Sequence, residues 1–382
     1  MNFDTIITRR GTGSIKWDRR PELDPFWVAD MDFASPDCIL DAVQKRLAHG
    51  VLGYAHAHEG VTESILNYLQ SRHDATATEE SLIHLGGLVP ALSLSARGFV
   101  RPGENLMICT PVYYPFLHVG NDAKCETVAV PHVQIDGIWT FDWEEMEKQV
   151  SAKTKLFILC NPQNPLGRNF TKAEIIRVAE FCNRHDLLLV SDEIHCDLVF
   201  NEETQPFYSA LHLPEHLRQK LIVLQAPSKT YNIAGMGYAF AIIENPEIRK
   251  TFCATRGHTL SEINCLAFYS AEAAYKHGEP WRQELLTYLK KNRDTVTDFV
   301  RSELPAGCTI PDIEATYLAL VDTRDAKINH PAQVIEKQAK VWVNDGTAFG
   351  APGQFRFNYG CAHARVLEGL DKIKAALHSA KA

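Results

Sequence analysis

The chain has 382 residues, 45% hydrophobic and 23% charged, with a formal charge of −8 at pH 7 and an isoelectric point near 6.1. That length exceeds what one core supports, so a large domain with a smaller companion is expected; the acidic balance and the lack of a Lys/Arg block argue against nucleic acid or an anionic membrane as partner. Ten cysteines without a C-x-x-C pair read as reduced thiols, and with no apolar run of signal-peptide or membrane-spanning length the expectation is a cytoplasmic protein.

Residues 1–34 read as an irregular arm that ends in Trp27-Val28-Ala29-Asp30-Met31-Asp32-Phe33. Ser35 as N-cap and Pro36 as first helical residue open a helix, with Ile39, Leu40, Val43 and Leu47 at helical spacing until Gly50. A Gly/His-rich loop at 53–60, containing Tyr54, leads to a second helix carrying Ile65, Leu66 and Leu69. His56 and His58, with His49 nearby, lack a third ligand at diagnostic spacing, so no metal is expected.

From Leu82 onward, short apolar runs at 82–85, 106–109, 127–130, 156–160, 187–190, 221–224 and 238–243 alternate with helical segments. This pattern implies a mostly parallel sheet covered on both faces, an α/β fold. The expected layout is a large domain over 46–284 and a small α+β domain over 285–382, with the arm and first helix, 1–45, packing against the small domain.

In open α/β sheets ligands bind beyond the carboxyl ends of the strands. Four junctions there carry reactive or polar groups. Gly86-Gly87-Leu88-Val89 opens a helix whose free N–H groups suit a phosphate, although a plain strand-to-helix turn would read the same. Asn161-Pro162-Gln163-Asn164-Pro165-Leu166-Gly167 places two asparagines in a proline-fixed loop. Ser191-Asp192-Glu193-Ile194-His195 sets an acid at the end of an apolar strand, where burial is costly without a cation. Ser228-Lys229 sets a lysine in the equivalent place, and a desolvated lysine can serve as Schiff-base nucleophile and proton carrier. Together these are the protein groups that pyridoxal phosphate requires.

With Ala29-Asp30-Met31-Asp32-Phe33-Ala34, the Asn161–Gly167 loop, Ser191-Asp192-Glu193-Ile194-His195, Ser228-Lys229-Thr230-Tyr231-Asn232-Ile233 and Phe355-Arg356-Phe357-Asn358-Tyr359-Gly360-Cys361 in this order, the chain resembles the fold type I pyridoxal-phosphate enzymes (aminotransferase class I/II) over nearly its whole length. Within them it is most similar to the cystathionine β-lyase branch, the bacterial carbon–sulfur lyases related to the maltose-regulon modulator. The resemblance implies that Lys229 anchors pyridoxal 5'-phosphate and that Asp192 pairs with the pyridine nitrogen. It further implies that Asn164 meets the ring hydroxyl, that Tyr113 stacks on the ring and contacts substrate, and that His195 stands where aminotransferases carry a tyrosine. Ser228 and the N–H groups around Gly87 and Leu88 would hold the phosphate, Arg356 would bind the substrate carboxylate, and Tyr54 would reach the phosphate of a neighbouring subunit in a homodimer with shared sites. Gly237 and Ala226 depart from the wider family, which has an arginine and a serine there, so phosphate binding would lean on the backbone and on other side chains.

The implied activity is α,β-elimination of L-cystathionine or a related cysteine S-conjugate to thiol, pyruvate and ammonia. The alternatives are an aminotransferase on the same scaffold, and a regulatory protein that sequesters a transcription factor.

Overall fold

The computed structural model describes residues 2–257 and 260–381. A two-residue strand β1 (Asp24–Pro25) in the arm precedes the main sheet, whose strands are β2 (Leu82–Leu85), β3 (Asn105–Thr110), β4 (Glu126–Ile135), β5 (Ile138–Phe141), β6 (Thr154–Cys160), β7 (Leu188–Asp192), β8 (Leu221–Gln225) and β9 (Ala239–Ile242). After the helices Cys265–His277 and Glu279–Glu303 come β10 (Leu318–Asp322), β11 (Val341–Trp342), β12 (Asn344–Asp345) and β13 (Gln354–Asn358), then the terminal helix His363–Lys381.

The main sheet has the order β2-β9-β8-β7-β6-β3-β4-β5. β4, β3, β6, β7 and β8 run parallel in sequence, and only β9 and β5 are antiparallel to their neighbours. Strands buried on both faces must be apolar throughout, which is why β6, β7 and β8 read as unbroken hydrophobic runs. Because β2 is antiparallel to β9 and β9 to β8, the carboxyl ends of β2, β3, β6, β7 and β8 all lie along one edge. The start of β9 joins them there.

β5 escapes the apolar-run criterion because it is a partly exposed edge strand, with Ile138 55% accessible. Its signal is the turn instead. Asp136 and Gly137 both take positive φ, 53° and 80°, the geometry of a tight hairpin, and Asp-Gly is the dipeptide that favours it.

A second core joins the chain's two ends: Phe3, Phe26 and Ile39 pack in one cluster with Val341, Phe357 and Leu370. β1 pairs with β11, and β10-β13-β12 forms the small sheet. The first main helix begins at Asp37 with Pro36 as its N-cap, one residue later than the sequence suggested. Ser35 does not cap it, because its hydroxyl donates to the Asn232 carbonyl at 3.0 Å and ties the helix entrance to the segment after Lys229. Of that helix's apolar stripe Ile39 is buried, whereas Leu40 and Leu47 are exposed in the single chain.

Candidate active site

Along the shared edge lies a cavity of about 260 Å3 lined by Ala29, Gly87, Leu88, Tyr113, Asn164, Asp192, His195, Ser228 and Lys229, among others. Eight of the residues singled out in the sequence thus meet in one place. Arg356, on β13, reaches the same place from the small sheet: its Nη1 donates to Asn164 Oδ1 at 2.9 Å. Tyr54 does not reach it. It lies in the irregular stretch before the helix Glu59–His73, and its side chain is wholly exposed in the single chain.

Asp192 is 3% exposed and accepts one backbone hydrogen bond, from Ile194 N–H at 3.1 Å. Burial raises its pKa to about 7; the Ile194 bond and the Lys229 charge oppose the rise, and Glu193 adds to it. Glu193 beside it is fully buried too, but it accepts from Ser191, Ser209, the Ala210 N–H and Gln225, which makes it a structural acid. Asp192 is therefore the carboxylate in want of a cation.

Burial lowers the Lys229 pKa to about 8, against the pull of Asp30 and Asp192 and with the push of Arg356. Its Nζ donates to the Ala29 carbonyl at 2.7 Å. His195 is buried and has its pKa lowered to about 3 by burial, Lys229 and Arg356, so its ring is neutral; its Nδ1 has no hydrogen-bond partner. Arg356 is buried, lies 4.6 Å over the Phe349 ring, and donates from Nη2 to the Trp27 carbonyl and to Asn344 Oδ1, both at 2.8 Å. No carboxylate among the described residues pairs with it, its Nε is unpartnered, and burial lowers its pKa to about 10. A buried guanidinium without an anion is expensive unless a ligand supplies one.

At Gly237 the chain takes φ +62°, and a Cβ there would stand 3.3 Å from the Gly86 carbonyl oxygen. An arginine at this position would meet both a backbone penalty and a tight contact. The start of the helix Leu88–Phe99 and Ser228 line the same cavity, and free N–H groups at a helix start suit an anion.

The sequence reading placed the arm against the small domain and gave it no part in the site, yet Ala29 brings it into the cavity wall. Asp32 is held by Lys16 Nζ at 2.8 Å, Trp17 Nε1 at 2.9 Å and Arg9 Nη1 at 2.6 Å. Asn358 donates to the carbonyls of Val28 and Asp30, and Asn232 to those of Met31 and Phe33. The only signal was the unusual Ala29–Ala34 wording itself.

Among the described residues one trio has metal-ligand chemistry, His73, Cys196 and Asp197; His49, His56 and His58 form no such group. The Tyr68 hydroxyl sits 2.8 Å from His73 Nε2, 2.7 Å from Asp197 Oδ2 and 3.5 Å from Cys196 Sγ. Arg72 Nε donates to the Asp197 carboxylate and Arg282 Nη1 to the Asp197 main-chain carbonyl, so the trio is part of a hydrogen-bonded core network.

The uncompensated acid predicts a pH dependence. A carboxyl whose pKa is raised in the folded chain favours folding fully below its unfolded value, 3.8, and loses that contribution as pH climbs to about 7. Its size is at most about 4 kcal/mol. In thermal melts of the chain without ligand, Asp192→Asn is expected to flatten the loss of stability between pH 4 and pH 7. Parallel curves for the two proteins would mean that the buried charge is compensated.

The sequence model of the aminotransferase class I and II family matches residues 26–373. Cystathionine beta-lyase PatB of Bacillus subtilis is 36% identical, covering 99% of this chain and 100% of its own. Among solved structures, cystalysin from Treponema denticola, which contains a pyridoxal 5'-phosphate cofactor, superposes with a TM-score of 0.94 at 32% identity over 99% of both chains. The pyridoxal-phosphate-bound C-S lyase from Staphylococcus hominis does so with a TM-score of 0.90 at 32% identity, over 99% of this chain and 98% of that one.

Proposed function

Because the chain belongs to the aminotransferase class I and II family, we propose that it is a pyridoxal-phosphate-dependent carbon–sulfur β-lyase, cleaving L-cystathionine or a related cysteine S-conjugate to thiol, pyruvate and ammonia. The observation that carries this reading is a cavity that holds the Lys229 amine and Asn164, with the buried Arg356 guanidinium, which pairs with no carboxylate among the described residues, bonded to Asn164. Pyridoxal phosphate, when bound, supplies an electron-accepting ring conjugated to the substrate's α-carbon.

The residues present fit that group. Asp192, short of donors, would hold the proton of the pyridine nitrogen, and the unsatisfied His195 with Asn164 would flank the ring hydroxyl. Tyr113 would lie against the ring, while the N–H groups at Gly87 and Leu88 and the Ser228 hydroxyl would take the phosphate. Arg356 would bind the substrate α-carboxylate as a fork, a geometry lysine does not offer. Lys229 would anchor the cofactor and, once displaced by the substrate amine, take the proton from Cα as general base.

The wholly exposed Tyr54 supports a homodimer in which this residue completes the partner's phosphate site. The core in which Phe26 and Ile39 pack with Val341 and Leu370 supports the packing of the arm against the small domain. Leu198, Tyr231 and Trp281 share that core, and the boundaries at 45/46 and 284/285 fall within the helices Asp37–Ala48 and Glu279–Glu303. Among the described residues no helix is long and apolar enough to cross a membrane; the ten free cysteines support a reducing, cytoplasmic setting.

Incubation of the purified chain with L-cystathionine is expected to release pyruvate and thiol without any added 2-oxo acid. Turnover that appears only when an oxo acid is supplied would make the protein an aminotransferase instead, since a shared scaffold does not dictate the reaction.

A further inference from the structure

The Ala29 carbonyl carries two donors, Lys229 Nζ at 2.7 Å and the Tyr317 hydroxyl at 2.9 Å. For both donors it is the only hydrogen-bond partner among the described residues. Tyr317 is 1% exposed and stands edge-on to His195, 6.3 Å between ring centroids. Neither side of this arrangement can drift. Thr316, before it, has a positive φ of 74° and is locked by bonds from its N–H to the Leu198 carbonyl and from the Tyr359 hydroxyl to its own carbonyl. On the other side Ala29 sits between the clamped carbonyls of Trp27, Val28, Asp30 and Met31.

Resting on the assignment of Lys229 as the cofactor's lysine, we propose that Tyr317 is a positioning residue for the catalytic amine: by sharing the Ala29 carbonyl with Lys229 it parks the freed amine beside the substrate and disfavours its protonated form. A lysine bonded to the cofactor has at most one proton left to donate, whereas a freed amine has two or three and needs a fixed acceptor. A bare carbonyl would favour the ammonium, which has a full charge to stabilise. A second donor on the same oxygen competes for it and turns the positive end of an O–H dipole towards the ammonium. Of the other groups that face Lys229, Asp30 and Asp192 favour its charge and Arg356 opposes it, while His195 is neutral. Tyr317 itself faces Asp30, Arg356 and Tyr113. Burial already depresses the amine, and Tyr317 keeps the Ala29 carbonyl from undoing that.

The test is competitive acetylation of the full-length chain without cofactor, reading the Lys229 labelling midpoint against pH by mass spectrometry. Tyr317→Phe is expected to raise the midpoint by about half a unit to one unit, equivalent to about threefold to tenfold slower labelling near pH 7. In the loaded enzyme the acid limb of kcat should move to higher pH in the same sense. Tyr68→Phe, which removes a buried hydroxyl outside the cavity, is expected to lower the melting temperature and leave the midpoint in place. A midpoint unmoved or lowered in Tyr317→Phe, or moved equally by Tyr68→Phe, overturns the proposal. Failure of the chain to gain visible absorption with pyridoxal phosphate would instead remove the functional reading, and the labelling result would still decide what Tyr317 does to the amine.

Discussion

Lys229→Ala is expected to cut turnover of L-cystathionine at least about a thousandfold, within the range lost with a positioned general base, and to abolish the visible absorption of the cofactor–lysine linkage. The fold should survive. The amine is desolvated and its pKa lowered to about 8, so below that pH its charge costs stability and alanine removes the cost along with one hydrogen bond to Ala29. Loss of activity with an unchanged or higher melting temperature is thus the expected pair of results. Activity within tenfold of the parent would show that this cavity is not where the reaction occurs. The same variant tests the shared site: if Tyr54 serves the neighbouring subunit, mixing inactive Lys229→Ala chains with Tyr54→Ala chains should restore a fraction of the activity, because one site in each mixed dimer then has both groups intact. No recovery in a verified mixed dimer would confine each site to one chain.

Arg356→Ala is expected to lower kcat/KM by about a hundredfold to a thousandfold, since truncating one member of a buried charge pair costs about 2–5 kcal/mol. Arg356→Lys should recover only part of this. It keeps a charge but cannot bond Asn164, the Trp27 carbonyl and Asn344 at once while presenting a fork to a carboxylate. A substrate analogue lacking the α-carboxylate separates recognition from packing, because the wild type and Arg356→Ala should process it at similar rates. An equal penalty on both substrates would mean that Arg356 acts by holding Trp27 and Asn164 in place.

Much of this molecule was legible before any coordinates. The runs that became β2, β3, β4, β6, β7, β8 and β9 were readable because doubly buried strands must be apolar, and the polar residues following them had to gather along one edge because the connections keep those strands running the same way. Asp136-Gly137 was a turn in plain sight, missed because an edge strand lacks the apolar run used to find the others.

The sequence by itself therefore determined the class of fold and which side chains gather at the cavity, since burial and chain direction both leave a local pattern. Only the tertiary structure decided what meets those side chains. Lys229 and Tyr317 find a common acceptor in the carbonyl of Ala29, distant from both in the chain, and Arg356 finds that of Trp27. Every residue carries a main-chain carbonyl, so its identity leaves no trace in composition or spacing; which carbonyl faces an amine is set by the packing of the two chain ends around the arm.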